Sequence, residues 1–127
     1  MSDRPIGIFD SGVGGLTVCK AVNELLPAEN IIYFGDTARF PYGTRSVETI
    51  VRYSREISAH LVSRSVKMIV IACNTSSAAA LDRLRDELPV PVIGVIDAGA
   101  RAACARHVAG PIGVIATRAT VGSESYV

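Results

Sequence analysis

Five short apolar runs punctuate the chain, at residues 6–9, 31–34, 68–72, 92–96 and 112–116. They are rich in Ile and Val and show almost no polar alternation. That is the pattern of strands covered on both faces, as in a parallel sheet. Helix-length segments separate them. Residues 16–26 place Leu16, Cys19, Val22 and Leu26 at helical spacing. After Ser46, a plausible N-cap, Val47, Ile50, Val51, Ser54, Ile57 and Leu61 share one side of a second helix. A third follows Asn74 through Ala78, Leu81, Leu84 and Leu88 until Pro89 and Pro91 end it. A fourth is expected over residues 99–108, closed by Gly110 and Pro111.

The order βαβαβαβαβ predicts a right-handed, mostly parallel α/β sheet. Residues 6–9 and 112–115 echo each other, as the opening strands of two similar domains would. Residues 121–127 read as the start of one more helix with no cap or closing glycine, so the chain is expected to stop inside a larger architecture.

Composition narrows the classes. The 127 residues suit one ordinary domain, and 49% hydrophobic with 20% charged residues is a globular composition. A net charge of +1 with no run of like charges gives no reason to expect nucleic acid or an anionic membrane as partner. No apolar stretch approaches the ~20 residues of a membrane span. The first residues lack a signal-peptide layout, so a cytoplasmic location is expected. Cys19, Cys73 and Cys104 show no Cys-x-x-Cys or Cys/His ligand spacing. Neither a disulfide nor a zinc site is expected, and the thiols should be reduced.

In open α/β sheets ligands bind beyond the carboxyl ends of the strands. The expected strands run into Asp10-Ser11-Gly12, Gly35-Asp36-Thr37, Cys73-Asn74-Thr75, Asp97 and Thr117. Asp36 and Asp97 read as ordinary polar strand ends. In the segment 10–17, DSGVGGLT, three glycines permit a tight turn and expose N–H groups that can hold an anion, though it matches neither a dinucleotide fingerprint nor a P-loop. Segment 71–77, IACNTSS, weighs more. It sets Cys73 between a buried strand and a helix start, where the helix dipole favours a thiolate. Asn74 and Thr75 are candidates to cap that helix or to bind a ligand. Cys19 and Cys104 read as core or near-core residues, and His60 and His107 as surface or packing residues. The long loop after the second strand carries RFPYG, in which Tyr42 offers a ring and hydroxyl and Gly43 an unshielded N–H.

Five segments, IGIFDSGVGGLTV, YFGDTARFPYG, IACNTSSAAAL, PVIGVIDAGARAA and IGVIATRAT, resemble the glutamate racemase family in order and spacing and cover nearly the whole chain. The resemblance implies a flavodoxin-like parallel α/β domain, the first of two similar domains that face each other across the substrate. In that picture residues 1–97 are the first domain without its carboxyl-terminal return, and residues 98–127 begin the second. The implied reaction interconverts L- and D-glutamate, a small-molecule substrate, with no cofactor: neither pyridoxal phosphate nor metal. Its product supplies peptidoglycan synthesis. Carried over by motif, Cys73 is one of two catalytic thiols, taking the proton from the D-enantiomer, and Asp10 assists it. Asp10, Ser11, Tyr42, Gly43, Asn74 and Thr75 match substrate-binding positions, with Thr117 and Thr120 approaching from the second domain.

Members of the family are much longer. Their second cysteine lies in a Gly-Cys-Thr-His segment that this chain lacks, and Cys104, inside a helical pattern, cannot take its place. The 127 residues alone are therefore expected not to racemise glutamate. Competing readings are a racemase for another amino acid such as aspartate, and a non-catalytic carboxylate-binding module that associates as a homodimer through the apolar surface a second half would cover. A cysteine hydrolase would need a histidine beside the nucleophile, and neither His60 nor His107 is placed as one.

Overall fold

A computed structural model of the chain describes residues 3–106 and 109–127. The expected alternation forms four parallel strands: β1 (Ile6–Asp10), β2 (Ile31–Gly35), β3 (Met68–Ile71) and β4 (Val92–Gly94), in the order β2-β1-β3-β4. β1 is central. Ile6 lies opposite Ile31 on one side and Met68 on the other.

Both sheet faces are covered, which explains why the strands carry no polar alternation. On one face Ile6, Ile8, Val70 and Ala72 pack against Val18, Cys19 and Val22 of α1 (Leu16–Leu25). On the other, Phe9, Ile69 and Ile71 meet Val51, Ile57 and Leu61 of α2 (Val47–Ser63) and Ala80 and Leu84 of α3 (Asn74–Glu87). Ser46 caps α2 as expected, its hydroxyl accepting the Thr49 N–H at 3.2 Å. The α3 cap is Cys73, not Asn74 or Thr75: its sulfur accepts the Ser76 N–H at 3.4 Å.

The second half of the pattern departs from expectation. β4 stops at Gly94, and α4 (Ile96–Arg106) starts three residues early. The Gly99 N–H bonds to the Val95 carbonyl, so the apolar residues 95 and 96 serve the helix entry. The expected end of that helix, with His107, lies outside the described residues. Residues 112–116 form no strand, and Ile112, Val114 and Ile115 are exposed. An apolar run becomes a strand only where a neighbour completes its ladder, and this sheet ends at β4. The last helix is α5 (Arg118–Gly122), capped by Thr117, rather than one beginning at Val121. Cys104, expected near the core, is exposed. Among the described residues no helix is long and apolar enough to cross a membrane.

Candidate functional site

The carboxyl ends of β1 and β3 lie side by side, with Phe9 opposite Ile71. Asp10, the last residue of β1, is buried, and its Oδ2 accepts the N–H groups of Gly12 at 3.1 Å and Gly15 at 3.0 Å. Gly15 is the N-cap of α1 and has no side chain to cap with. The Asp10 carboxylate takes that role, satisfying N–H groups at the helix entry in the sense its dipole favours. The glycine loop thus spends two of its N–H groups on the chain's own carboxylate, and these are not open to an external anion as the sequence suggested. Nor does the loop need left-handed backbone. Gly15 has φ −64°, and among the described glycines only Gly110 has positive φ. Gly15 is needed for space, since an added Cβ would stand 2.5 Å from Asp10 Cβ and 2.9 Å from Ala72 Cβ.

Tyr33 closes the loop from outside. Its hydroxyl donates to the Gly12 carbonyl at 3.1 Å. Burial, then the nearby negative charge of Asp10, pushes its pKa up to about 12. Nothing in the residue pattern points to this role, because Tyr33 sits inside an apolar run.

Cys73 is 6% exposed. Besides accepting from Ser76, its thiol donates to the Ser11 hydroxyl at 3.6 Å. Ser11 in turn lines two adjoining cavities. The first, of about 420 Å³, is walled by Asp10, Ser11, the glycine loop, Thr37 and Phe40. The second, of about 460 Å³, runs from Ser11 and Phe40 past Tyr42 and Gly43 to Thr75, Thr117 and Arg118. The sulfur thus lies one hydroxyl behind the cavity wall. No hydrogen bond joins it to Asp10 among the described residues.

Thr75, in the first turn of α3, meets the α5 cap. Its Oγ1 is 2.9 Å from Thr117 Oγ1 and 3.5 Å from Thr120 Oγ1, and the latter two are 3.1 Å apart. Three hydroxyls in a triangle can each donate to a neighbour and still offer lone pairs outward. Gly43 closes the cavity against the same cap, for its added Cβ would stand 2.7 Å from Thr117 Cβ.

Of the residues singled out from sequence, Asp10, Ser11, Tyr42, Gly43, Thr75 and Thr117 line these cavities. Cys73 lies just behind them. Asn74 is exposed and faces a neighbouring hollow of about 210 Å³ that shares Thr117 with the larger cavity, its Oδ1 accepting the Tyr126 hydroxyl. The Tyr42 hydroxyl is turned away to Asp36, so it is not the free group the sequence offered. Asp36 is buried and bonded, not a bland strand end, whereas Asp97 is exposed in the first turn of α4. His60 is exposed, its ring edge-on to Phe34 at 5.7 Å, a packing role as expected. Among the described residues no group of three His, Cys, Asp or Glu side chains is gathered for a metal.

Comparison with known proteins adds a family. Residues 6–127 match the family model of Asp/Glu/hydantoin racemases. A glutamate racemase of Geobacter metallireducens is 57% identical over 97% of this chain and 46% of its own length. Among solved structures, the glutamate racemase from Aquifex pyrophilus superposes with a TM-score of 0.93 at 54% identity, over 97% of this chain and 49% of that one. That from Francisella tularensis, in complex with D-glutamate, superposes at 0.89 and 47% identity over 99% and 47%. The chain spans about half the length of the relatives it matches.

Two measurements check this geometry. Gly15→Ala should destabilise the fold by about 1–3 kcal/mol, because two Cβ atoms fixed to backbone must move. Gly14→Ala, whose Cβ meets only Asp10 Oδ2 at 3.9 Å, should stay within about 0.5 kcal/mol in urea unfolding. Tyr33 keeps its proton in the folded state up to about 12, above the ordinary tyrosine value of 10.0. Its contribution to stability should therefore be full below pH 10 and fall as pH rises toward 12, read as a declining urea midpoint alongside tyrosinate absorbance.

Proposed function

The chain belongs to the Asp/Glu/hydantoin racemase family, and on that premise we propose that it carries one half of a glutamate racemase site, with Cys73 as one of its two bases. The observation that carries the reading is the contact of Cys73 with Ser11, whose hydroxyl lines the same cavities as Asp10 and Gly43. A carboxylate, several hydroxyls and the Arg118 guanidinium around this space suit a zwitterion that also carries a second carboxylate.

In the proposed reaction the Cys73 thiolate removes the Cα proton of D-glutamate. The Cα–H bond breaks, an S–H bond forms, and the electron pair moves into the α-carboxylate. A thiol on the opposite face then protonates Cα to give L-glutamate. That thiol comes from the half of the family's length that this chain does not span. The Cα proton is a poor acid, so orientation and hydrogen bonds to the developing charge supply much of the rate. Ser11, Thr75, Thr117 and the Gly43 N–H are assigned to the substrate carboxylates, and Asp10 to assisting Cys73. Tyr42 acts through the backbone it fixes, and Asn74 would join the substrate-binding set only by turning away from the Tyr126 hydroxyl that it accepts in this structure. The proposal assigns residues 1–97 to the first domain and 98–127 to the start of the second. It needs no pyridoxal phosphate or metal. It places the protein in the cytoplasm, supplying D-glutamate for peptidoglycan.

In the complete protein to which this sequence belongs, Cys73→Ser should lower L/D-glutamate interconversion by about 10²–10⁴, measured by circular dichroism. It should also stop solvent deuterium from entering D-glutamate at Cα. The 127 residues alone should incorporate none. Aspartate, one methylene shorter, should be converted about 10–200-fold less efficiently. Near-native turnover by Cys73→Ser would refute the assignment of the base, and a preference for aspartate would refute the substrate.

A further inference from the structure

Between β2 and α2 the chain runs through residues 36–46 with no regular structure, yet residues 40–44 form a wall of the larger cavity. Few backbone bonds hold this loop: Asp36 N–H to the Asp10 carbonyl at 3.0 Å, Arg39 N–H to the Asp36 carbonyl at 3.1 Å, and Arg45 N–H to the Tyr42 carbonyl at 2.9 Å. Its shape must come from side chains.

The side chain at the centre is Asp36, 5% exposed. Its Oδ2 accepts the Arg39 Nε–H at 2.7 Å and also the Tyr42 hydroxyl. Arg39 reaches on to Glu56 of α2, and its guanidinium lies 4.0 Å above the Tyr53 ring. The Tyr42 ring, 1% exposed, packs 5.4 Å from that same Tyr53 ring. One buried carboxylate therefore ties the loop to itself at two points and, through Arg39, to a helix of the core. Leaving a buried carboxylate without its cation or donor is costly, so the three side chains hold one another in place. Gly43 follows Tyr42 directly and is seated against Thr117.

We propose that Asp36 is a positioning residue: by latching Tyr42 and Arg39 it fixes the loop so that Gly43 stands opposite Thr75 and Thr117, and it thereby sets how tightly the cavity holds its substrate. The latch itself is independent of what the cavity binds, and only its effect on affinity rests on the glutamate racemase reading. Asp36 bonds to Arg39 and Tyr42 and lines neither cavity, so proton transfer should be largely spared.

Two readouts test it in the complete protein, with Asp36→Asn, Tyr42→Phe and the double variant. The first is amide hydrogen exchange. Both single variants should speed exchange at Arg39 and Arg45 at least tenfold while Ile8 in β1 and Val70 in β3 keep wild-type protection. The second is steady-state kinetics with D- and L-glutamate. KM should rise at least tenfold with kcat within threefold, and the double variant should be no worse than the more impaired single one, because both substitutions break one connection. Unchanged loop exchange in both single variants would overturn the latch. A fall in kcat at constant KM, or multiplicative losses in the double variant, would overturn its role in affinity. If Asp36→Asn fails to fold, Tyr42→Phe, which removes only a hydroxyl, decides both. If the wild-type protein does not act on glutamate, the functional reading fails, and the exchange data still judge the latch.

Discussion

Where β1 and β3 end together, the strand alternation decides which way each polar group at the rim can go. Ile6 and Ile8 face α1, and Asp10 continues that series, so its carboxylate arrives at the α1 entry and gathers two glycine amides. Ile69 and Ile71 face α2 and α3, and Cys73 continues that series, joining their core while its sulfur meets Ser11. Carboxylate and thiol thus leave the sheet on opposite surfaces, the carboxylate on the wall of the first cavity and the sulfur behind Ser11, which lines both cavities. A slip of one residue in either strand would turn that strand's group to the other surface and dismantle the site.

The loops around that rim are each pinned by a polar side chain, buried at Asp10, Asp36 and Cys73 and exposed at Thr117. Asp10 pins the glycine loop, Asp36 the loop before α2, Cys73 the first turn of α3, and Thr117 the turn of α5. Buried polar groups are tolerated when bonded, and bonded ones specify a single geometry where apolar packing would allow several. The exposed apolar residues Ile112, Val114 and Ile115 lie in the part of the chain that pairs with nothing here.

The four strands and first three helices were legible because continuous Ile/Val runs and helical spacing are local signals. Residues 112–116 carry the same composition and form no strand, because a ladder partner is a long-range fact that composition does not encode. Candidate chemistry was legible in the same partial way. Residue type and position after a strand drew attention to Asp10, Ser11, Cys73 and Gly43. The partnerships were not visible: Tyr33 with Gly12, Asp36 with Tyr42 and Arg39, Cys73 with Ser76 as a cap. An aspartate after a strand is common, and only its burial distinguishes Asp36.

The proposed proton transfer requires the Cys73 sulfur to reach the reacting carbon from behind the Ser11 hydroxyl. A crystal structure of the complete protein with D-glutamate is the most direct measurement of that reach. The expected result is the Cys73 Sγ on one face of Cα at a near-attack distance of about 3–3.5 Å, with the substrate between Asp10 and the threonine cluster. A substrate whose Cα faces other groups, with the sulfur still bonded to Ser11 and out of reach, would contradict it.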